Sequence, residues 1–318
     1  MHYRIKNSIK IDLVESIKTM PLNVIKLDLM GCDLSKIPTE IIVQALQLIP
    51  STVIELDLTL TRLGLKTGEE LIQIFNAIPS SISSIKLSTN VFNARTSDEL
   101  SQALNALPPS IIKLDLSQNG FGSPPIMDLE KIFNAIPVTV NSINLSGNYL
   151  GTIATKKLVE AFKELNNIRK LNLSSNLLNL KKADKLLNIF KAIPTTVRSL
   201  NLEKNSINLF DQNKLLALKD SLPYIKKVSF FLKEVHAMSP IQRQALKGIF
   251  TQIYKIQLIK VKNETTPNLL SEHYAWEMGD KHKPPSLLSW TAFFVSQNNL
   301  DTKDLTNELK EILPENKL

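Results

Sequence analysis

The feature that most constrains this chain is a period. A frame of apolar-x-x-apolar-x-apolar-x-x-Asn-x-apolar returns every 28 or 29 residues,. It reads Ile82, Ile85, Leu87, Asn90, Phe92, then Ile111, Leu114, Leu116, Asn119, Phe121. Val140, Ile143, Leu145, Asn148, Leu150 follow, then Ile168, Leu171, Leu173, Asn176, Leu178, and Val197, Leu200, Leu202, Asn205, Ile207. Upstream, Val24, Leu27, Leu29, Cys32, Leu34 and Val53, Leu56, Leu58, Thr61, Leu63 keep the phase. Downstream, Ile225, Val228, Phe230, Lys233, Val235 keeps it without the Asn, and Ile253, Ile256, Leu258, Val261 is a faint ninth copy.

The second half of each unit has its own period. Leu71, Ile74, Phe75, Ile78 and Leu129, Ile132, Phe133, Ile136 are spaced as one face of an α-helix, as are Leu186, Ile189, Phe190, Ile193,. Pro21, Pro50, Pro79, Pro108, Pro137, Pro194 and Pro223 close these helices, with Asn166 standing in once. Proline cannot continue a helix and favours extended geometry before it, so it marks the return to a strand. Each unit is therefore a short strand, a turn and a helix. A unit this small cannot bury its apolar face alone, and neighbouring units must stack into one continuous core. The Asn column has a physical reason: a buried amide both donates to and accepts from backbone groups that the turn leaves unpaired. Cys32 and Thr61 occupy that column, so Cys32 reads as a buried structural thiol.

These phased copies, over about residues 11–262, resemble the leucine-rich-repeat family. The long unit with a true helix is similar to its ribonuclease-inhibitor-like class. The resemblance implies an α/β solenoid, a curved horseshoe with a parallel sheet on the concave side, α-helices on the convex side and a helical C-terminal cap. The implied organisation is an N-terminal cap and first helix over 1–23, about nine repeats over 24–262, and a helical cap or tail over 263–318.

In such an arc the residues between the leucine positions face a partner. The central column reads Asp28, Asp57, Lys86, Asp115, Asn144, Asn172, Asn201, Ser229, Gln257. Its flanks are small and hydroxyl-rich in the middle repeats, without the Trp, Tyr and Arg that anchor interfaces,. The C-terminal end differs. Phe231, Leu232 and Ile259 place apolar side chains on or beside the exposed columns, either as an adhesive patch or as the seat of a cap,. Ten basic residues between 214 and 262 face only Asp220 and Glu234, an excess equal to the +8 of the whole 318-residue chain. Spread around a solvated surface they mean little. Gathered, they suit an acidic protein or anionic lipid headgroups. Lysine without interleaved aromatics argues against nucleic acid. Both tryptophans, Trp276 and Trp290, lie beyond the repeats, in a segment read as a helical cap or a partner-binding appendage. The candidate partner-binding residues are therefore Lys227, Phe231, Leu232, Lys255, Ile259, Lys260, Trp276 and Trp290.

Catalytic chemistry is not legible. There is no Gly-rich phosphate loop, no Gly-x-Ser-x-Gly elbow and no Cys–His pair outside the repeat frame,. His273 and His282, near Glu272, Glu277 and Asp280, match no standard metal-ligand spacing,. The expectation is a non-enzymatic monomer with no catalytic, cofactor or metal site. No stretch approaches a membrane span, the N-terminus lacks the apolar run of a secretory signal, and a single cysteine suits a reducing compartment,. The tail Asn307–Leu318, with spaced glutamates and a small apolar end, resembles C-terminal signals of Legionella type IV-secreted effectors. The Ile-, Asn- and Lys-rich repeats, with helices ending Asn-Ala-Ile-Pro, are similar to leucine-rich-repeat effectors of that group. That resemblance implies export into the host cell cytoplasm, a role in virulence and a host protein as partner.

Overall fold

The computed structural model describes residues 1–5, 12–260, 268–282, 285 and 295. They form two compact units, Met1–Leu180 with Lys191–Val197, and Lys181–Phe190 with Arg198–Leu318. The candidate Trp290 and the tail read as an export signal lie outside the described residues.

In the first unit strands and helices alternate. They are β1 (His2–Arg4), α1 (Leu13–Lys18), β2 (Lys26–Asp28), α2 (Thr39–Gln47), β3 (Glu55–Asp57), α3 (Gly68–Asn76), β4 (Ser84–Lys86) and α4 (Ser97–Asn105). β5 (Lys113–Asp115), α5 (Leu129–Asn134), β6 (Ser142–Asn144), α6 (Thr155–Lys163) and β7 (Lys170–Asn172) continue the pattern. The strands are parallel and follow sequence order. Each pairs with its predecessor in the repeat's own register, Leu27 opposite Leu56, Leu56 opposite Ile85 and Ile85 opposite Leu114. β1 was not legible in the sequence: it precedes the first copy of the frame, yet pairs with β2 through Tyr3 opposite Leu27.

Two devices hold the period. The first is the core. Every leucine-type frame position from Leu27 to Leu202 is at most 3% exposed, as are helix residues such as Leu71, Ile74 and Phe75. Full burial of such a side chain contributes about 1.5–3 kcal/mol. Thr67 and Thr96 open α3 and α4 with reciprocal capping boxes to Glu70 and Glu99,. Glu70 also accepts from Thr39 Oγ1 of the preceding repeat at 2.6 Å. That bond, with the Thr67 amide and Lys66, holds the carboxyl at about 2. After most of these helices the proline carbonyl accepts from the amide three residues on, as in Pro50–Val53, Pro79–Ile82 and Pro108–Ile111, and after α6, where Asn166 replaces the proline, Leu165 O accepts the Ile168 amide instead; the resulting turn feeds the next strand.

The second device is the asparagine ladder. Asn90 Oδ1 accepts from the Thr61 and Leu63 amides at 3.2 and 3.0 Å, while its Nδ2 donates to Leu58 O at 2.7 Å. Asn119 does the same for the Asn90 amide (2.8 Å) and Leu87 O (2.9 Å). Asn148 serves the Asn119 amide and Leu116 O, and Asn176 the Asn148 amide and Leu145 O. All four are at most 1% exposed. Cys32 is fully buried, its Sγ 3.7 Å from Ile5 O. Burial, with the Asp28 charge, pushes its thiol up, away from nucleophilic use at neutral pH,.

α7 (Ala183–Ala192) belongs in part to each unit. The second unit holds β8 (Ser199–Asn201), α8 (Gln212–Ala217), β9 (Lys227–Phe231), α9 (Leu232–His236), α10 (Pro240–Ile249), β10 (Lys255–Ile259) and α11 (Asn268–Glu277). Its strands are again parallel and in sequence order, but β9 and β10 have five residues where the others have three. β9 runs straight into α9 with no intervening loop. Among the described residues no helix is long and apolar enough to cross a membrane.

Candidate binding site on the C-terminal unit

In the first unit the exposed columns are occupied by their own neighbours. Asp28, Asp57, Asp115, Asn144 and Asn172 each accept the amide two residues on, at 2.9–3.2 Å, an Asx turn that ends β2, β3, β5, β6 and β7,. The remaining carboxylate oxygens pair sideways. His2 Nε2 lies 3.0 Å from Asp28 Oδ2, Lys86 Nζ 2.9 Å from Asp57 Oδ2, and Asn144 Nδ2 donates to Asp115 Oδ2 at 3.0 Å. Burial pushes the Asp57 carboxyl up, but hydrogen bonds from Thr59 and Lys86 outweigh it and hold the group below its ordinary value. Asp28 and Asp57 are only 4% exposed, so these two are part of the structure rather than a hydrated surface, which corrects the sequence expectation. A partner approaching here would have to break bonds already made.

The second unit offers a different face. Its register sets Lys227 beside Lys255, Ser229 beside Gln257, and Phe231 beside Ile259. These candidates, with Lys260, are half-buried. Lys204 Nζ stands 5.5 Å from the centroid of the Phe231 ring, a cation–π contact on the rim of this apolar pair,. Leu232 is the exception. It is fully buried at the start of α9, because the chain turns inward directly after β9. Its expected place beside the exposed columns is corrected here.

Lys227 and Lys255 share a cleft of about 410 Å³ with Gln257, Ser271, Glu272 and His282. The last three come from the cap; the sequence drew attention to Glu272 and His282 only as a group without metal-ligand spacing, and to Ser271 not at all. Trp276 is an exposed residue of α11 but does not line the cleft. The basic excess does not form one patch. Arg243 is 1% exposed inside the unit, and Lys214 Nζ donates to Lys181 O and covers the Phe210 ring at 4.0 Å.

A buried polar cluster holds the cap in place. Arg243 Nε of α10 donates to Glu277 Oε2 of α11 at 2.5 Å, and its Nη1 donates to Met238 O. The guanidinium lies 4.5 Å from the centroid of Tyr274, whose hydroxyl is 2.9 Å from His236 Nδ1 of α9. His273 Nε2 is 3.8 Å from Glu277 Oε1. Burial pushes the Glu277 carboxyl up, but hydrogen bonds from His273 and Arg243 outweigh it and leave the group below its usual value. His273 is thus a core histidine. Among the described residues no group of three His, Cys, Asp or Glu could hold a metal. Gly279, at φ +102, reverses the chain after α11, a conformation that side chains rarely adopt,. Asp280 Oδ2 then accepts the Ile256 amide at 2.7 Å, and the Lys281 amide donates to Tyr254 O at 3.0 Å.

The crystal structure of LegL7, a leucine-rich repeat-containing protein from Legionella pneumophila, is similar to this chain. The two are 32% identical over 90% of this chain and 100% of LegL7, with a TM-score of 0.66. This chain is a leucine-rich-repeat protein. The structure of a complex of TLR13 with single-stranded RNA is 14% identical, covers 80% of this leucine-rich-repeat protein and 38% of TLR13, and has a TM-score of 0.45. No family model and no curated protein matches the sequence. The open parallel sheet, the helix in every unit and the asparagine ladder fit the ribonuclease-inhibitor-like class of leucine-rich-repeat proteins.

Proposed function

We propose that this leucine-rich-repeat protein is a non-enzymatic effector, exported by type IV secretion, that binds a host protein in the host cell cytoplasm through the β8–β10 face of its C-terminal unit. The observation that carries the binding site is the contrast between the two faces. In the first unit the acidic and amide side chains of the strands are spent on turn amides and on one another. In the second unit the Phe231–Ile259 pair has Lys204 at its rim and Lys227 and Lys255 at the other end of the same two strands, so the face combines apolar area with charge, the anatomy of a protein-binding surface,. The effector reading draws on the likeness to a Legionella protein and on the glutamate-spaced C-terminal sequence.

The test is a pull-down from host-cell lysate on the purified chain. One protein retained in stoichiometric amount, and lost with Phe231→Asp but not with Ser146→Asp in the first unit, is the expected result. A chain that retains nothing, or a partner indifferent to Phe231, overturns the assignment. Export is checked separately, by a reporter fused to the full chain in Legionella with and without a working type IV apparatus.

A further inference from the structure

We infer that the outer edge of β10 is a docking groove in which an extended acidic segment of the partner protein adds as a further strand. This rests on the protein-binding reading above and gives it a chemistry. In β10 the amide of Lys255 donates to Lys226 O, and Gln257 and Ile259 continue in register with β9. Because backbone groups alternate sides along a strand, Ile256 and Leu258 point their amides and carbonyls the other way, as Tyr254 does its carbonyl, while the Tyr254 amide shares Lys226 O on the β9 side,. The near half of that outer edge is already engaged, by the Asp280 carboxylate on the Ile256 amide and the Lys281 amide on Tyr254 O. The far half, the Ile256 carbonyl and the amide and carbonyl of Leu258, has no partner among the described residues.

The side chain of Leu258 tells the same story. The residues at its frame position, Leu58, Leu87, Leu116, Leu145, Leu173, Leu202 and Phe230, are at most 3% exposed, whereas Leu258 is half-exposed and lines the cleft. The core column opens only here, below α11 and beside a backbone edge that has no partner among the described residues. A cleft of about 410 Å³ is of the size that takes a ligand, in a place where sheets most readily recruit another chain,.

The chemistry selects the occupant. An edge that alternates donor and acceptor is matched by another backbone; a phosphate or lipid headgroup has nothing to offer its carbonyls. Lys227 and Lys255 stand on one wall and Glu272 on the other, and the Asp280 carboxylate is committed to the Ile256 and His282 amides. The favoured segment therefore alternates apolar residues, which cover Leu258, with acidic ones, which meet the two lysines.

Fluorescence anisotropy on the full chain tests this with a labelled synthetic peptide alternating valine and glutamate. The expected result is saturable binding that weakens about ten-fold or more with Lys255→Glu, with lysine in place of the peptide's glutamates, and with alternate peptide amides N-methylated. Leu258→Pro removes the outward amide together with the leucine side chain that the segment covers, at an edge position where proline is tolerated, and is expected to weaken binding likewise,. If that variant does not fold, the N-methylated peptide asks the same question from the ligand's side. Equal binding of the N-methylated or lysine peptide overturns the inference. So does self-association abolished by Leu258→Pro, which would give the edge to a second copy, or lysine-dependent binding to phosphatidylserine vesicles without peptide binding. A host partner that is captured normally by Leu258→Pro sinks the groove while leaving the protein-binding function standing.

Discussion

Replacing Glu277 by alanine should detach the C-terminal cap without unfolding the repeats of the first unit. The magnitude follows from burial. Arg243 is 1% exposed and the Glu277 side chain 12%, with Nε and Oε2 2.5 Å apart. At an effective dielectric of about 20, unit charges roughly 4 Å apart attract by about 4 kcal/mol. Removing one partner of such a pair leaves an uncompensated buried charge, at a typical cost of about 3–5 kcal/mol. Met238 O and the Tyr274 ring still face the guanidinium in the variant, which places the loss toward the lower figure. About 3 kcal/mol is roughly a hundred-fold in the opening equilibrium of α11. Hydrogen exchange reads this directly: the amides of α11 should lose about two orders of magnitude of protection, while those of β3–β6 keep theirs. Arg243→Met combined with Glu277→Leu removes both charges and should recover most of the protection, since an apolar pair of similar volume often replaces a buried ion pair without loss. The sign in pH is fixed too. Because the Glu277 carboxyl is held below its ordinary value, its contribution is complete above the unfolded glutamate pKa and disappears as pH falls through the folded one,. Acid should therefore release the cap of the natural protein and change little in the double variant. Unchanged α11 protection in Glu277→Ala would refute this account of the pair.

Three further outcomes follow from the same structure. Asn119→Ala strands the Asn90 amide and Leu87 O in the core and should lower the unfolding free energy by about 2–4 kcal/mol, read by chemical denaturation,. Gly151→Ala would set a Cβ 2.1 Å from Leu177 O, on a turn whose amide already bonds to Asn176 O, so a clear loss of thermal stability is expected; an unchanged melting temperature refutes the close approach. Burial holds the Glu234 carboxyl above its ordinary value, so ionising it opposes folding increasingly as pH rises from the unfolded value through the folded one,. Glu234→Gln keeps an acceptor for the Ser206 amide and should be at least as stable as the natural protein at pH 7, with no advantage near pH 4.

The repeat was legible because burial repeats with it: one strand residue in two and one helix stripe must meet the core, and Ile, Leu and Phe report both. The ladder was legible because few side chains other than Asn can serve two turns at once. The sequence misled where the unit changes form. The frame puts Lys233 in the Asn column, but β9 runs directly into α9, and the side chain that reaches the preceding turn is Glu234, bonded to the Ser206 amide at 2.7 Å. The same junction buries Leu232. Arg243 reads as one more surface lysine-like charge, because its partner Glu277 lies 34 residues on, outside any repeat. The cleft itself joins β10 to residues of the cap that share no spacing with it, so no periodic signal could have exposed it.

The asparagine ladder also sets how such a chain can change in length. Each rung receives the amide of the repeat before it and gives to that repeat's carbonyl, so what a turn requires is an asparagine one whole unit further on. Deleting a complete unit of 28 or 29 residues hands the orphaned amide to an equivalent oxygen in the next one. Deleting a few residues leaves it facing nothing. Splicing in or out therefore works in whole repeats, and the number of units in the first unit of the fold can drift while the cap and the open edge of β10 stay as they are.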